Sequence, residues 1–299
     1  GYAVAFFDRY RGNPLLGAAF GALRTVRAQR RPLRFLASRL LWRTGLCRRL
    51  VIDMGAYRLR FFPTALSAAY WIDPAERAAD EAFITQALQA GDTLVDVGAN
   101  IGALALAGAA RVGVAGRVYA IEAHPRVFAY LQDNITLNGF SQMRVLHSAV
   151  GAMPGELAFS DQRSDDQNRV EEGGAIKVPV ATLDALLRDH AGPIALLKID
   201  VEGFERFVLQ GARELLARTQ CVFFESWDEH FHRYGYTTAD LVADLRAQGF
   251  TLFRFAGDSF QALPPRYCSA YCENLVAARD VDALSQRLAG RYRLVSNGQ

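Results

Sequence analysis

The chain has 299 residues, 51% of them apolar and 22% charged, a balance that supports one large core, or a core with a small appended region, and excludes a disordered chain. No run reaches the roughly 20 uninterrupted apolar residues that a membrane-spanning helix needs. The net charge of +3 is uneven: residues 1–60 hold thirteen arginines against Asp8 and Asp53, or +11, which leaves −8 on the remaining 239 residues.

Between Leu15 and Arg30, apolar residues recur at Leu16, Phe20, Leu23 and Val26, with Arg24, Arg27, Arg31 and Arg34 three or four apart. This predicts a basic amphipathic helix that restarts at Pro32. Two readings stand: an element that docks on a membrane surface or a substrate, or a helix packed on the body with a solvated arginine face. Residues 50–62, LVIDMGAYRLRFF, predict a β-hairpin around Met54-Gly55, and RAADEAFITQALQAGD, 77–92, a helix that stops at Gly91.

From Thr93 the rhythm changes. Short apolar strands, TLVDV (93–97), RVYAI (117–121), MRVLHSAV (143–150), PIALLKI (193–199) and CVFFE (221–225), are separated by helical patterns at 101–111, 125–137, 182–190, 204–218 and 238–248. Strand, helix, strand in that order implies right-handed crossovers and a mostly parallel sheet covered on both faces, an α/β fold. FTLFRF (250–255) and ENLVAAR (273–279) supply late strands for an antiparallel edge. The expected division is an Arg-rich helical and hairpin N-terminal region at 1–75 and a main domain at 76–299. The polar stretch SDQRSDDQNRVEEGGA, 160–175, reads as a substrate gate or an idle loop.

Cys47, Cys221, Cys268 and Cys272 are too few and too scattered for a disulfide framework, and Cys268 and Cys272 lack partners at zinc-site spacing. The expectation is a reducing, cytoplasmic setting, with the basic head bringing the protein to the inner face of a membrane. The sequence does not begin with Met, which leaves room for a segment removed upstream.

The stretch VDVGANIG, 95–102, places Gly98 and Gly102 at the turn between a buried strand and a helix, where open α/β sheets bind ligands. Glu122 ends the next strand, 24 positions after Gly98, where such folds hold ribose hydroxyls. A pyrophosphate wants a G-x-G-x-x-G run and disfavours a nearby carboxylate, yet Asp96 stands two residues before Gly98. That argues against a dinucleotide oxidoreductase and for a cofactor with a cationic end, which points to S-adenosylmethionine.

VDVGANIG, Glu122 with PRVFAYLQDNITLNG behind it, VLHSAVG, ATLDALL and LLKIDVEGFERFVLQGA together resemble the FkbM family of S-adenosylmethionine-dependent methyltransferases. The resemblance covers about residues 80 to 255, and KIDVEGFE is its most specific piece. It implies a class I methyltransferase, Rossmann-like fold with a mostly parallel seven-stranded sheet and an antiparallel edge, behind the N-terminal helical and hairpin extension. The implied activity is O-methylation of a sugar, glycan, glycolipid or secondary metabolite, with S-adenosylhomocysteine as product. It further implies that Asp96, Gly98, Asn100 and Gly102 line the methionine and ribose side, that Glu122 holds the ribose diol, and that Ser148 and Ala149 lie near the adenine.

In an extended chain Lys198, Asp200 and Glu202 share one face, and buried charge is costly unless paired or used. Asp200 or Glu202 is read as the base that takes the acceptor's proton, with Lys198 steering their charge; the alternative for Glu202 is a helix cap. Glu205, in the first helical turn, reads as a partner of the helix dipole. Glu225 ends the next strand, and Trp227, Asp228, Glu229, His230 and His232 follow as a substrate wall, either histidine being an alternative base. Asp184, Asp200, Glu202 and Glu225 offer oxygen ligands for a divalent metal, which is not the favoured reading. The rival functions are a non-catalytic cofactor-binding scaffold and a methyltransferase for protein or RNA. Nucleic acid is disfavoured by the acidic body.

Overall fold

The computed structural model describes residues 25–159 and 176–295. Most of the predicted amphipathic segment before Arg30 and the whole 160–175 stretch lie outside the described residues. The chain divides into two compact units, one formed by residues up to 52 and 60–76, the other by 53–59 and 77 onward.

In the smaller unit, Pro32 opens the helix Pro32–Thr44, which ends at Gly45 in the left-handed conformation. A second helix, Ala65–Ile72, is capped by Thr64, whose hydroxyl accepts from the Ser67 amide. Arg34 stacks over the Trp71 ring at 4.5 Å and donates to the Trp71 carbonyl, while Arg31 donates to the Ile72 carbonyl at 3.1 Å. The predicted hairpin is present as β1 (Val51–Asp53) and β2 (Arg58–Arg60).

The larger unit is α/β. Its strands are β3 (Thr93–Val97), β4 (Arg117–Glu122), β5 (Met143–His147), β6 (Ala149–Val150), β7 (Gly155–Phe159), β8 (Ile176–Ala181), β9 (Ile194–Ile199), β10 (Thr219–Ser226), β11 (Thr251–Ala256), β12 (Ser259–Ala262), β13 (Glu273–Ala278) and β14 (Arg293–Val295). The main sheet runs β14-β12-β11-β13-β10-β9-β3-β4-β5. β5, β4, β3, β9 and β10 are mutually parallel, and β13 is antiparallel to both β10 and β11. The expected seven-stranded, mostly parallel sheet with an antiparallel side is therefore present, and β12, antiparallel to β11, and β14, parallel to β12, extend it to nine.

Burial explains the layers. Every residue of β3 is buried, as expected of a parallel strand covered on both sides. The helix Ala103–Val112, ALALAGAARV, lies close because its residues are small: a Cβ on Gly108 would stand 2.3 Å from Leu94 Cδ2. Beside it on the same face the helix Ala78–Ala87 packs through Phe83, whose ring centroid is 4.7 Å from that of Phe223 on β10, while Val95, Leu197, Val222 and Phe224 of the opposite face form one core with Leu215, Leu241 and Leu245.

Three elements differ from the sequence reading. The strand expected over 143–150 breaks at Ser148; β6 leaves the main sheet and pairs with β8, which also pairs antiparallel with β7. The helix expected over 204–218 is two short helices, Glu205–Gln210 and Arg213–Ala217, with Gly211 between them packed against the Gly151 carbonyl. The helix expected over 182–190 is one turn, Leu183–Leu186.

Candidate active site

Strand pairing assembles the site at the carboxyl ends of the parallel strands. Asp96 on β3 is the register partner of Ala120 on β4 and Lys198 on β9, and Lys198 is the partner of Phe223 on β10. Register partners share a face, and residues two apart share it again. Asp96, Glu122, Lys198, Asp200 and Glu225 therefore all project to one side of the sheet, with Asn274, the partner of Glu225 on β13.

The loop after β3 is held at every step. The amides of Gly98 and Ala99 donate to the Ile121 carbonyl at 2.9 and 3.0 Å, and Asn134 donates to the Ile101 carbonyl at 2.8 Å. Gly98 has φ +79°, and a Cβ there would stand 1.9 Å from the Asp200 carbonyl oxygen, so no other residue fits. Gly102, at φ +93°, sits against Leu131. Asn100 is itself left-handed at φ +52°, and its amide donates to Glu122 Oε2 at 2.8 Å. Glu122 Oε1 accepts the amides of Ala123 and His124 at 3.1 and 3.0 Å. Burial raises the Glu122 pKa against the pull of these three donors. Ser148 and Ala149 lie beside this strand end, the Ser148 amide donating to the Glu122 carbonyl; the Ser148 hydroxyl is engaged by the Ala149 carbonyl at 2.7 Å.

Below the loop, Lys198 Nζ donates to Asp96 Oδ1 at 2.8 Å, and both residues are buried. Burial pulls the Lys198 pKa down, but the carboxylates of Asp96 and Asp200 outweigh it and the net shift is upward. Asp200 Oδ2 accepts from Arg77 at 3.2 Å, and Arg77 also bonds Asp80, which accepts from Asn274 at 2.8 Å. Burial works to raise the Asp200 pKa, yet Lys198 and Arg77 hold it below the ordinary value. Sequence spacing carried no signal for Arg77, because its partner is 123 positions away.

The reading of Lys198, Asp200 and Glu202 as one extended face holds only to Asp200. β9 ends at Ile199, and Glu202 adopts φ +51°, so the alternation does not continue to it. Glu205, in the first turn of its helix, is fully buried and accepts the amides of Val201 at 3.0 Å and Gly203 at 2.9 Å. Burial, reinforced by Glu225 and Asp200, pushes its pKa up to about 8. Tyr236 closes the loop from the other side by donating to the Gly203 carbonyl at 2.6 Å.

The wall after β10 is partly structural. Asp228 is buried and accepts the Thr238 amide and hydroxyl and the Ser269 amide, so it anchors the chain rather than facing a ligand. Glu225 and His230 are half-buried, with Nδ1 of His230 3.7 Å from Glu225 Oε1, and Trp227 lies with its ring centroid 4.5 Å from that of His230. His232 and Glu229 are exposed. On the short helix Asp228–His232, His232 stands about 200° around from His230, and the two do not share a face.

Asp184 accepts the amides of Glu214 and Leu215 at a helix start, so it is engaged away from Asp200 and Glu225. Among the described residues no three His, Cys, Asp or Glu side chains are grouped as a metal ion would require.

A family model described as the methyltransferase FkbM domain matches residues 96–252, more than half of the chain. The chain belongs to the FkbM methyltransferase family. The match begins at Asp96 and spans the glycine loop, Glu122, the KIDVEGFE segment and the Glu225–His230 wall, so the FkbM protein is an S-adenosylmethionine-dependent methyltransferase. No curated protein matches the sequence significantly. Solved structures similar to it include a precorrin-6y C5,15-methyltransferase from Geobacter metallireducens (11% identity, 67% of this chain and 87% of that chain, TM-score 0.41). Two others are an S-adenosylmethionine-dependent O-methyltransferase from Thermotoga maritima (14%, 67% and 64%, TM-score 0.39) and Aeropyrum pernix fibrillarin with natively bound S-adenosylmethionine (14%, 64% and 67%, TM-score 0.38).

Proposed function

We propose that this FkbM methyltransferase acts on a hydroxyl group of a sugar, glycan, glycolipid or secondary metabolite. S-adenosylmethionine, when bound, supplies an electrophilic methyl group on a cationic sulfonium, and S-adenosylhomocysteine is the product. The residues present fit that group. Asp96 Oδ2 and Asn100 Oδ1 are buried acceptors with no hydrogen-bond partner among the described residues, and buried polar atoms without partners are costly unless a ligand completes them. Asp96 and Asn100 would hold the methionine end, with Gly98 and Gly102 leaving room for it. Glu122 would take the ribose hydroxyls on lone pairs that its three amide donors leave free, and Ser148 and Ala149 would flank the adenine.

The observation that carries the hydroxyl reading is the Glu225–His230–Trp227 group on the same sheet face as Asp96. A hydroxyl must lose its proton as the methyl group arrives, so the site needs a base. His230 takes that proton on Nε2, and Glu225 stabilises the imidazolium through Nδ1. Their 3.7 Å separation is of the kind that tightens when an acceptor binds. Trp227 offers an aromatic face to a sugar ring. Asp200, its pKa held down by Lys198 and Arg77, and Glu202 orient the acceptor by accepting its other hydroxyls. Lys198, buried against Asp96, positions that carboxylate without reaching the acceptor.

The test is release of S-adenosylhomocysteine against a panel of hydroxylated acceptors, with the methylated atom located by NMR. His230→Ala and Glu225→Gln are expected to lower kcat about 10²-fold or more at unchanged S-adenosylmethionine affinity. Glu122→Ala is expected to weaken that affinity about tenfold or more in calorimetry, through one lost pair of hydrogen bonds to the ribose. Methylation on nitrogen or carbon, or full turnover in both wall variants, would overturn the hydroxyl reading. Unchanged affinity in Glu122→Ala would overturn the ribose assignment alone.

A further inference from the structure

The smaller unit turns an apolar stripe outward. On the helix Pro32–Thr44, Leu33, Leu36 and Leu40 are 81%, 50% and 64% exposed, and Leu46, in the turn that follows, is 47% exposed. At 3.6 residues per turn the three helical leucines fall within about 60° of arc. The far side of the same helix is the one that packs: Ser38 is buried, Phe35 and Trp42 half-buried. The stripe is thus left over after the helix has buried its own inner face, and contiguous exposed apolar surface of this kind marks an interaction site.

The surrounding charge says what covers it. Residues 25–52 contain eight arginines and no Asp, Glu, Lys or His. Arg31 and Arg34 turn inward to Ile72, Asp73 and Trp71. Arg39 and Arg43 border the leucines on the helix, and Arg48 and Arg49 follow beside Leu46; all four are exposed. A second copy of the chain would set one acid-free arginine field against another. A single-stranded nucleic acid would engage the arginines, but it calls for aromatic stacking platforms where this face carries leucines. An anionic bilayer meets both demands at once, because leucines enter the acyl boundary while arginines pair with headgroup phosphates.

We propose that this face docks the protein on an anionic lipid bilayer, with Leu33, Leu36, Leu40 and Leu46 inserted and the arginines at headgroup level. The inference is independent of which acceptor is methylated. The experiment is flotation of the full chain with phosphatidylcholine vesicles, with and without phosphatidylglycerol. Binding is expected only with phosphatidylglycerol and is expected to weaken as salt rises. The variant Leu33→Gln/Leu36→Gln/Leu40→Gln is expected to bind those vesicles about tenfold less or weaker, with melting temperature and S-adenosylmethionine affinity unchanged because all three leucines are at least half exposed. Arg39→Gln/Arg43→Gln is expected to lose the preference for phosphatidylglycerol. The proposal is overturned if the wild type ignores anionic vesicles, if the leucine variant binds as well as the wild type, or if the leucines instead support a dimer in solution or a labelled RNA is bound while vesicles are not.

Discussion

Asp96 and Glu225 end two strands of one sheet and project to the same face, yet their surroundings are opposite. Asp96 is sealed from solvent and tied to Lys198 at 2.8 Å, under a loop whose amides are spent on Ile121 and Glu122. Glu225 keeps part of its side chain open, its imidazole neighbour is 3.7 Å away, and the helix that carries His230 is five residues long. In the proposed assignment the cofactor side rests on short, buried contacts and the acceptor side on a longer, partly open one. A methyl donor common to many enzymes suits a fixed cradle, and an acceptor that differs between enzymes suits an adjustable wall.

The largest expected effect breaks the rigid half. Lys198→Met keeps the length of the side chain but leaves Asp96 buried without its counter-charge, and removing one partner of a buried pair costs about 3–5 kcal/mol. Urea unfolding should show a loss of that size. Adding Asp96→Leu should restore most of the stability while abolishing S-adenosylmethionine binding, which separates the structural part of the pair from its part in the site. If Lys198→Met is as stable as the wild type, the pair is not what holds the cradle.

The same contrast governs how much was legible in the sequence. Strands β3, β4, β9 and β10 are near-continuous apolar runs, and their observed bounds fall within two residues of the expected ones. Asp96, Glu122 and Lys198 stand out because they are acids or bases at the ends of such runs. β7 and β8 escaped notice because Glu156, Lys177 and Pro179 interrupt their apolar pattern, and β12 and β14 because they are short and half polar. On the acceptor side the misread residues are those whose roles depend on long-range contacts. Asp228 reads as part of a substrate wall until Ser269, 41 positions on, is seen to donate to it. Arg77 looks like an ordinary helix-start residue until the fold brings it to Asp200. Glu202 follows the strand's alternation on paper, but the alternation is a property of extended backbone and ends where φ turns positive.

A smaller effect probes the joint between the two halves, the Val201–Gly203 loop that Glu205 holds from below. Its carboxyl titrates near 8 in the fold, against an ordinary 4.5, chiefly because it is buried. The folded state therefore keeps a proton that the unfolded state gives up, so this contribution to stability is full below about pH 4.5 and is lost as the pH rises through about 8. The decline is at most about 1.4 kcal/mol per pH unit. Glu205→Gln, which cannot titrate, should flatten that part of the wild-type curve, and the difference between the two curves removes what the histidines contribute. Parallel curves from pH 5 to pH 8 would place the titration of Glu205 outside that window and sink the assignment.

The smallest effect is also the sharpest test of the adjustable half. His230 and His232 are two residues apart, and sequence alone offers both as base or substrate contact. The helix separates them: His230 is half-buried between Glu225 and Trp227, while His232 is exposed and about 200° away. A base must lie within hydrogen-bond reach of the proton it removes, and the proposed mechanism gives that role to His230. His232→Ala should leave kcat within about twofold and stability within about 0.5 kcal/mol, the range of ordinary surface substitutions. Measured beside His230→Ala under the same conditions, a similar loss in both would mean that the helix turns or unwinds when the acceptor binds. A loss confined to His230 fixes the wall as it stands, with Glu225 behind the imidazole and Trp227 beside it.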